Sequence, residues 1–253
     1  MKTILSVTSI PTRFDKLPGY IESLKKVRGW DEIWVNIPRT YTRFPKWGGN
    51  FPYKSFGDGV VINLGCKDLG PGTSAFAPLG KTDADILVVV NDDTLYPSNM
   101  IENLLKWFFA YEEESVWGLS GFSFDTYFKG HYPRSHGTPV DVLEAYGSCM
   151  YKTEWLRMIS AEFGDLSEIT WNDDMLISNL LEKHDIKRKT VYTEECHLGH
   201  LKQLEYGFAR DALHYLAAKD SGTSESSHTE NNKKILRNLS AIGKNYFKYK
   251  PSA

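Results

Sequence analysis

The chain has 253 residues, with 30 basic against 32 acidic side chains and a formal net charge of −2. That length holds one large domain or two small ones around a full core, and the interspersed, nearly balanced charges exclude the basic footprint of a nucleic-acid binder. No run approaches the roughly 18 apolar residues of a membrane helix. Three scattered cysteines, Cys66, Cys149 and Cys196, lack the CxxC spacing of a zinc site and suit a reducing compartment. The apolar stretch at residues 4–10 is too short and too interrupted for a signal peptide, so a soluble, cytoplasmic protein is expected.

Residues 4–9 predict a short buried strand, and Tyr20, Ile21, Leu24 and Val27 follow at helical spacing. Residues 32–37 (EIWVNI) and 59–64 (GVVINL) predict two further strands. Residues 85–90 (DILVVV) are β-branched, uninterrupted and bounded by polar groups, as a strand covered on both faces requires. Ser98 then offers a cap for a helix with Ile101, Leu104, Leu105 and Phe108 on one face. This order predicts an α/β fold with a mostly parallel central sheet flanked by helices. Further along, residues 116–122 predict a strand and 122–139 a loop rich in Gly, Pro and aromatics. Residues 147–151 predict a strand and 154–159 a short helix. Leu176, Ile177, Leu180 and Leu181 form the apolar stripe of a helix over 173–183. Residues 190–193 predict a last strand and 204–218 a helix. Residues 219–232 (KDSGTSESSHTENN) predict a polar linker or loop. A last helix follows, with Ile235, Leu236, Leu239, Ile242 and Tyr246 on one side.

The chemistry concentrates where the strand at 85–90 ends, in Asn91-Asp92-Asp93-Thr94-Leu95-Tyr96-Pro97. Ligands of open α/β sheets bind outside the carboxyl ends of strands. Two adjacent carboxylates repel, and desolvating them is costly unless a cation compensates. Mg2+ and Mn2+ take oxygen ligands and share carboxylates with substrate phosphates. The plain alternative is a turn whose acids cap the next helix.

This segment resembles the DxD region of GT-A-fold glycosyltransferases, departing from it in Asn91 at the first position. The resemblance implies a GT-A-like (Rossmann-like) mixed, mostly parallel sheet and a nucleotide-sugar donor, with a UDP-sugar favoured. It also implies Mn2+ (or Mg2+) on Asp93 and Asp92, with Asn91 and Asp92 facing the donor. Residues 6–13 (SVTSIPTR) resemble the loop that cups the nucleoside, which sends Thr8, Pro11 and Arg13 to base, ribose and diphosphate. A strand ending at a proline turn describes them as well. Asp68-Leu69-Gly70-Pro71-Gly72-Thr73 resembles a D-x-G-P-x-T segment of some of these enzymes, including a group from large DNA viruses. It nominates Asp68, Gly70 and Thr73 for the donor, with Lys81 downstream to neutralise phosphate, although Gly-Pro-Gly is also strong turn chemistry. Trp171-Asn172-Asp173-Asp174 resembles the acidic position near the acceptor. There Asp174 would deprotonate the acceptor hydroxyl, and Asp173 would contact the acceptor or cap the helix. Trp171, Glu144 and Tyr146 stand as acceptor contacts, with Glu144 a second candidate base. His200, like His197, resembles a late metal ligand, and Phe124, Tyr127, Phe128 and Tyr132 suit an acceptor wall.

The resemblance spans roughly residues 1–200. It implies one catalytic domain over 1–218, with a nucleotide-sugar half at 1–97 and an acceptor half at 98–218, then the linker at 219–232 and a helix at 233–253. The activity implied is metal-dependent transfer of a hexosyl or deoxyhexosyl group to a glycan or glycoside hydroxyl, with inversion. Two rivals stand beside it. A nucleotidyltransferase would carry a Gly-rich loop, where residues 9–13 hold no glycine. A non-catalytic carbohydrate- or nucleotide-sugar-binding protein is kept open by Asn91.

Overall fold

The structure is a computed structural model that describes residues 1–111, 114–127, 136–167, 172–209 and 226–249. The chain opens with β1 (Thr3–Thr8), then a 3-10 turn at Pro11–Lys16 and α1 (Leu17–Leu24). Pro11 lacks an N–H and presets φ, which suits the head of that turn and ends the strand. Next come β2 (Glu32–Pro38), β3 (Val60–Cys66), α2 (Thr73–Phe76), β4 (Ile86–Val89), β5 (Thr94–Leu95) and α3 (Met100–Ala110). The second half holds β6 (Ser115–Gly118), β7 (Gly121–Phe122), α4 (Phe124–Tyr127), β8 (Thr138–Pro139), β9 (Val142–Leu143) and β10 (Cys149–Lys152). It continues through α5 (Thr153–Leu166), α6 (Asp173–Lys183), β11 (Lys187–Thr190), β12 (Lys202–Gln203) and α7 (Ser226–Ala241).

Eight strands form one mixed sheet in the order β3-β2-β1-β4-β10-β6-β11-β8. β3, β2, β1 and β4 run parallel, β10 is antiparallel to β4 and β6, and β11 is parallel to β6. Residues of β4 alternate between the two hydrophobic clusters, as a period of two demands. Leu87 and Val89 join Phe76, Phe163, Leu176 and Leu236 on one face. Ile86, Val88 and Val90 join Ile21, Leu24, Ile101 and Leu104 on the other. One consequence positions everything that follows. Cys149 lies opposite Val89, so the turn before β10 meets the segment after β4.

Several elements differ from expectation for local reasons. Ser98 does not cap α3; its hydroxyl and carbonyl accept from Arg28 instead, at 3.2 and 2.7 Å. The strand expected over 116–122 is split into β6 and β7, with Gly118 and Gly121 packed too close to neighbouring carbonyls to admit a side chain. α5 runs on to Leu166. The strand near 190 begins earlier, at Lys187, and β12 follows it. Where a helix is expected from 204, a 3-10 turn spans Glu205–Phe208; residues 210–218 lie outside the described ones. α7 begins at Ser226, inside the polar stretch, because Ile235, Leu236 and Leu239 dock on the core beside α6.

Candidate active site

β1 and β4 are parallel neighbours, so their carboxyl ends open at one edge. There Arg13, only 8% exposed, reaches both acids. Its Nη1 donates to Asp92 Oδ1 at 2.6 Å and to Asp93 Oδ2 at 3.1 Å. Ser9 Oγ donates to Asp92 Oδ2 at 2.5 Å, so both carboxylate oxygens of Asp92 are engaged. Burial nonetheless raises the Asp92 pKa, against the opposing pull of Arg13.

A late segment closes over this group. β12 pairs with β5, and Leu204 N donates to Asp93 O at 2.7 Å. Tyr206, 114 positions beyond Asp92, donates its hydroxyl to Asp92 O at 2.7 Å. Its own carbonyl accepts from Arg13 Nη2 at 3.4 Å, and its ring centroid lies 5.6 Å from the guanidinium carbon. A Cβ on Gly207 would stand 3.0 Å from Asp93 Oδ2 and 3.1 Å from its Cβ, so a side chain there would have to push Asp93 by a few tenths of an ångström.

The expected ligand set of Asp93, Asp92 and His200 is not assembled. Among the described residues no three His, Cys, Asp or Glu side chains gather as a metal site. His200 packs against His197, ring centroids 4.0 Å apart, and Arg13 already supplies counter-charge to the acids. Asp93 keeps coordinating capacity, because its Oδ1 accepts only a long bond of 3.3 Å from the Thr94 hydroxyl. One such carboxylate, completed by diphosphate oxygens, is a fit holder for Mg2+ or Mn2+.

The other residues expected at the donor are engaged with their own neighbours. The Asn91 carbonyl accepts from the Tyr20 hydroxyl, and its N–H donates to Tyr96 Oη at 3.0 Å. Thr8 Oγ1 donates to Asn36 O at 2.9 Å. Behind the edge runs a buried polar row. Asn36 Nδ2 donates to Ser6 Oγ at 2.9 Å, Asn63 Nδ2 to Asn36 Oδ1 at 2.9 Å, and Lys81 Nζ to Asn63 Oδ1 at 2.5 Å. Lys81 thus ends that row rather than pairing with the acids. Asp68 and Thr73 build their own turn. Asp68 accepts from Thr42 N at 2.8 Å and Gly70 N at 3.0 Å, and fully buried Thr73 accepts from Leu69 N at 2.9 Å. Gly70 has φ +61, and a Cβ on Gly72 would meet Phe163 at 2.5 Å, so turn and packing account for both glycines.

A second acidic centre lies across β4 and β10. Asn172 caps α6 by accepting from Met175 N at 2.9 Å, so the capping role expected of Asp173 is filled by its neighbour. Asp174 Oδ1 accepts from Ala145 N at 2.8 Å, and Glu144 Oε2 from Ser120 Oγ at 2.5 Å. Burial, then repulsion from Asp173, pushes the Asp174 carboxyl well above the ordinary range. Burial raises Asp173 and Glu144 as well. Among the described residues none of the three has an ion-pair partner. The turn that presents Glu144 is strained and tight. Ser148 is fully buried at φ +66, and a Cβ on Gly147 would stand 2.4 Å from Ser120 Cβ. Tyr96 ties the two centres together, accepting from Asn91 N and donating to Tyr146 O at 3.1 Å. Trp171, Phe128 and Tyr132 lie outside the described residues.

Ser9 and Tyr96 lie inside the two motifs read from the sequence but carry no expected role there, and Tyr206 stands in no motif at all. Sequence reasoning also passed over the stretch between β2 and β3, although Tyr41, Phe44, Trp47, Phe51, Tyr53 and Phe56 crowd there. These rings form an edge-on cluster with Phe14, and a recess of about 410 Å³ opens beside it, lined by Pro11, Arg43, Phe44, Pro45, Lys46 and Trp47.

Sheet order, strand directions and the edge at β1 and β4 define the class of fold as GT-A. Solved structures match it over nearly the whole chain. One is the mannosyltransferase PcManGT from Pyrobaculum calidifontis, in complex with GDP-Man and Mn2+. It is 12% identical with a TM-score of 0.53, over 96% of this chain and 76% of that one. Another is S. aureus TarS 1–349 in complex with UDP, 12% identical with a TM-score of 0.50, over 95% and 72% of the two chains. At that identity the likeness shows the fold. Neither structure is viral, so the resemblance of residues 68–73 to viral enzymes gains no support from them. No protein-family model matches the chain, and no curated protein matches it in sequence.

Proposed function

We propose that the chain is an inverting glycosyltransferase moving a hexosyl or deoxyhexosyl group from a UDP-linked donor to a glycan or glycoside hydroxyl. The observation that carries this reading is the presence of two unlike acidic centres at one edge of a GT-A sheet. The first is counter-charged by Arg13 and suits a diphosphate. The second has no cation among the described residues and suits proton transfer.

In this reading the base rests in the recess beside Pro11, where Phe44 and Trp47 offer flat apolar surface. Arg13 keeps its hold on Asp92 and turns further N–H groups to the diphosphate. Asp93 holds Mn2+ or Mg2+, which supplies neutralisation of charge on the departing diphosphate when bound. Asp174, raised by burial and by Asp173, removes the proton of the acceptor hydroxyl as that oxygen attacks the anomeric carbon. Ala145 N fixes the carboxylate through Oδ1, leaving Oδ2 for the proton. Glu144 and Tyr146 line the acceptor side. The solved relatives in complex with GDP-Man and with UDP support a nucleotide ligand for this fold.

The test is turnover of a panel of UDP- and GDP-sugars with glycoside acceptors, read as released nucleoside diphosphate. Asp174→Asn is expected to lower kcat by roughly 100-fold or more while calorimetric donor affinity stays within about twofold. A product that keeps the donor's anomeric configuration by NMR contradicts the base assignment. Donor binding without turnover favours the non-catalytic rival.

A further inference from the structure

We infer that Arg13 is the resident counter-ion of the acid pair, and that it closes Asp92 and Asp93 to a free divalent cation until a diphosphate draws it away from Asp93. The second half of this inference rests on the donor proposed above; the first half does not.

Three observations converge on it. First, the guanidinium stands where a bridging cation would stand, contacting one oxygen of each acid. Second, the two contacts are unequal. Asp92 is held at 2.6 Å with its other oxygen taken by Ser9, whereas Asp93 is held at 3.1 Å. Asp92 is therefore the anchor and Asp93 the acid that can be released. Third, Tyr206 adds a contact besides the acids, its carbonyl accepting from Arg13 Nη2 at 3.4 Å and its ring centroid lying 5.6 Å from the guanidinium carbon. One positive charge against two negative leaves a net −1 at a buried site. A divalent ion arriving alone would meet that small charge and a permanently protonated guanidinium. A diphosphate changes the balance, because its oxygens offer Arg13 a bidentate partner and contribute negative ligands for the metal.

The test is electron paramagnetic resonance of free Mn2+ titrated with protein, without nucleotide. Wild type is expected to leave the aqueous signal undiminished at submillimolar Mn2+. Arg13→Met is expected to bind at least about tenfold more tightly, the effect of removing a unit charge a few Å away. Arg13→Lys, which keeps a charge, should resemble wild type, and Arg13→Met with Asp93→Asn should lose the gained site. Mn2+ uptake by wild type alone, abolished by Asp93→Asn, overturns the inference; so does a folded Arg13→Met that gains nothing. If Arg13→Met fails to fold by circular dichroism, wild type against Asp93→Asn still decides it by the same criterion. Adding UDP or GDP to wild type should then deplete free Mn2+ beyond what the nucleotide alone removes. Failure of only this last arm counts against the donor reading and leaves the resident counter-ion standing.

Discussion

At the scale of single residues, the two Asp residues that begin α6 set both a pH profile and a stability cost. Asp174 must lose its proton to act as a base, and its pKa is raised by burial and by Asp173. The acid limb of kcat/KM should therefore lie above the ordinary carboxylate range. In Asp173→Asn, where one repelling charge is gone, a pH–rate profile should show the limb moved to lower pH. The stability consequence follows by linkage. The folded state holds the proton more tightly than the unfolded chain, so stability present below the unfolded pKa is lost as pH rises through the folded one. Asp174→Asn removes that loss and can still accept from Ala145 N through its amide oxygen. Its melting temperature at pH 8 should exceed wild type by about 3 °C, while activity falls. Substitution at Asp92, which carries an ion pair that Asp174 lacks among the described residues, is expected to destabilise instead. Asp92→Ala removes the closer of the two carboxylates that hold buried Arg13 and leaves only the longer contact to Asp93, so it should cost up to about 3–5 kcal/mol in urea unfolding.

At the scale of elements, the site exists because strands of opposite direction meet. β10 runs against β4, and Tyr96 bridges the two turns at their shared edge. Tyr96→Phe keeps the ring but leaves Asn91 N without its acceptor. It should cost about 1–3 kcal/mol and raise donor KM, because the acid pair loses its fixed backbone. The β12 segment is tested by Gly207→Ala, whose Cβ would press on Asp93. Nucleotide affinity should drop severalfold in calorimetry, with fold retained by circular dichroism. How much of this was legible in the sequence follows from range. The run at 85–90 announces a covered strand, and Asp92 and Asp93 follow it directly, so the acid pair could be read locally. The Arg13 partnership joins residues 79 positions apart and depends on β1 lying beside β4, which no local pattern states. Tyr206 was hidden further, since residues 204–208 carry a helical period yet fold as a turn pinned by Asp93 O. The Asp68 and Thr73 motif was visible, but its side chains are spent on the turn itself.

At the scale of the whole molecule, the GT-A sheet brings the two acidic centres to one edge, and the C-terminal segment from α7 onward packs beside α6. Asn232 accepts from Asn172 at 3.1 Å, and Asn179 of α6 donates to Lys244 O at 2.9 Å. Leu236, fully buried in that contact, should cost about 2–5 kcal/mol when truncated to Ala, and the loss should loosen Asp173 and Asp174 as well. The polarity of residues 226–232 concealed this docking, because the apolar stripe that drives it starts only at Ile235. Among the described residues no helix is long and apolar enough to cross a membrane. The central claim, a nucleoside-diphosphate site at Arg13, Asp92 and Asp93, is met most directly by calorimetric titration of UDP and GDP with and without Mn2+, beside Asp93→Ala. Metal-dependent binding of UDP that the substitution abolishes is expected. Binding of neither nucleotide under any metal condition would contradict it.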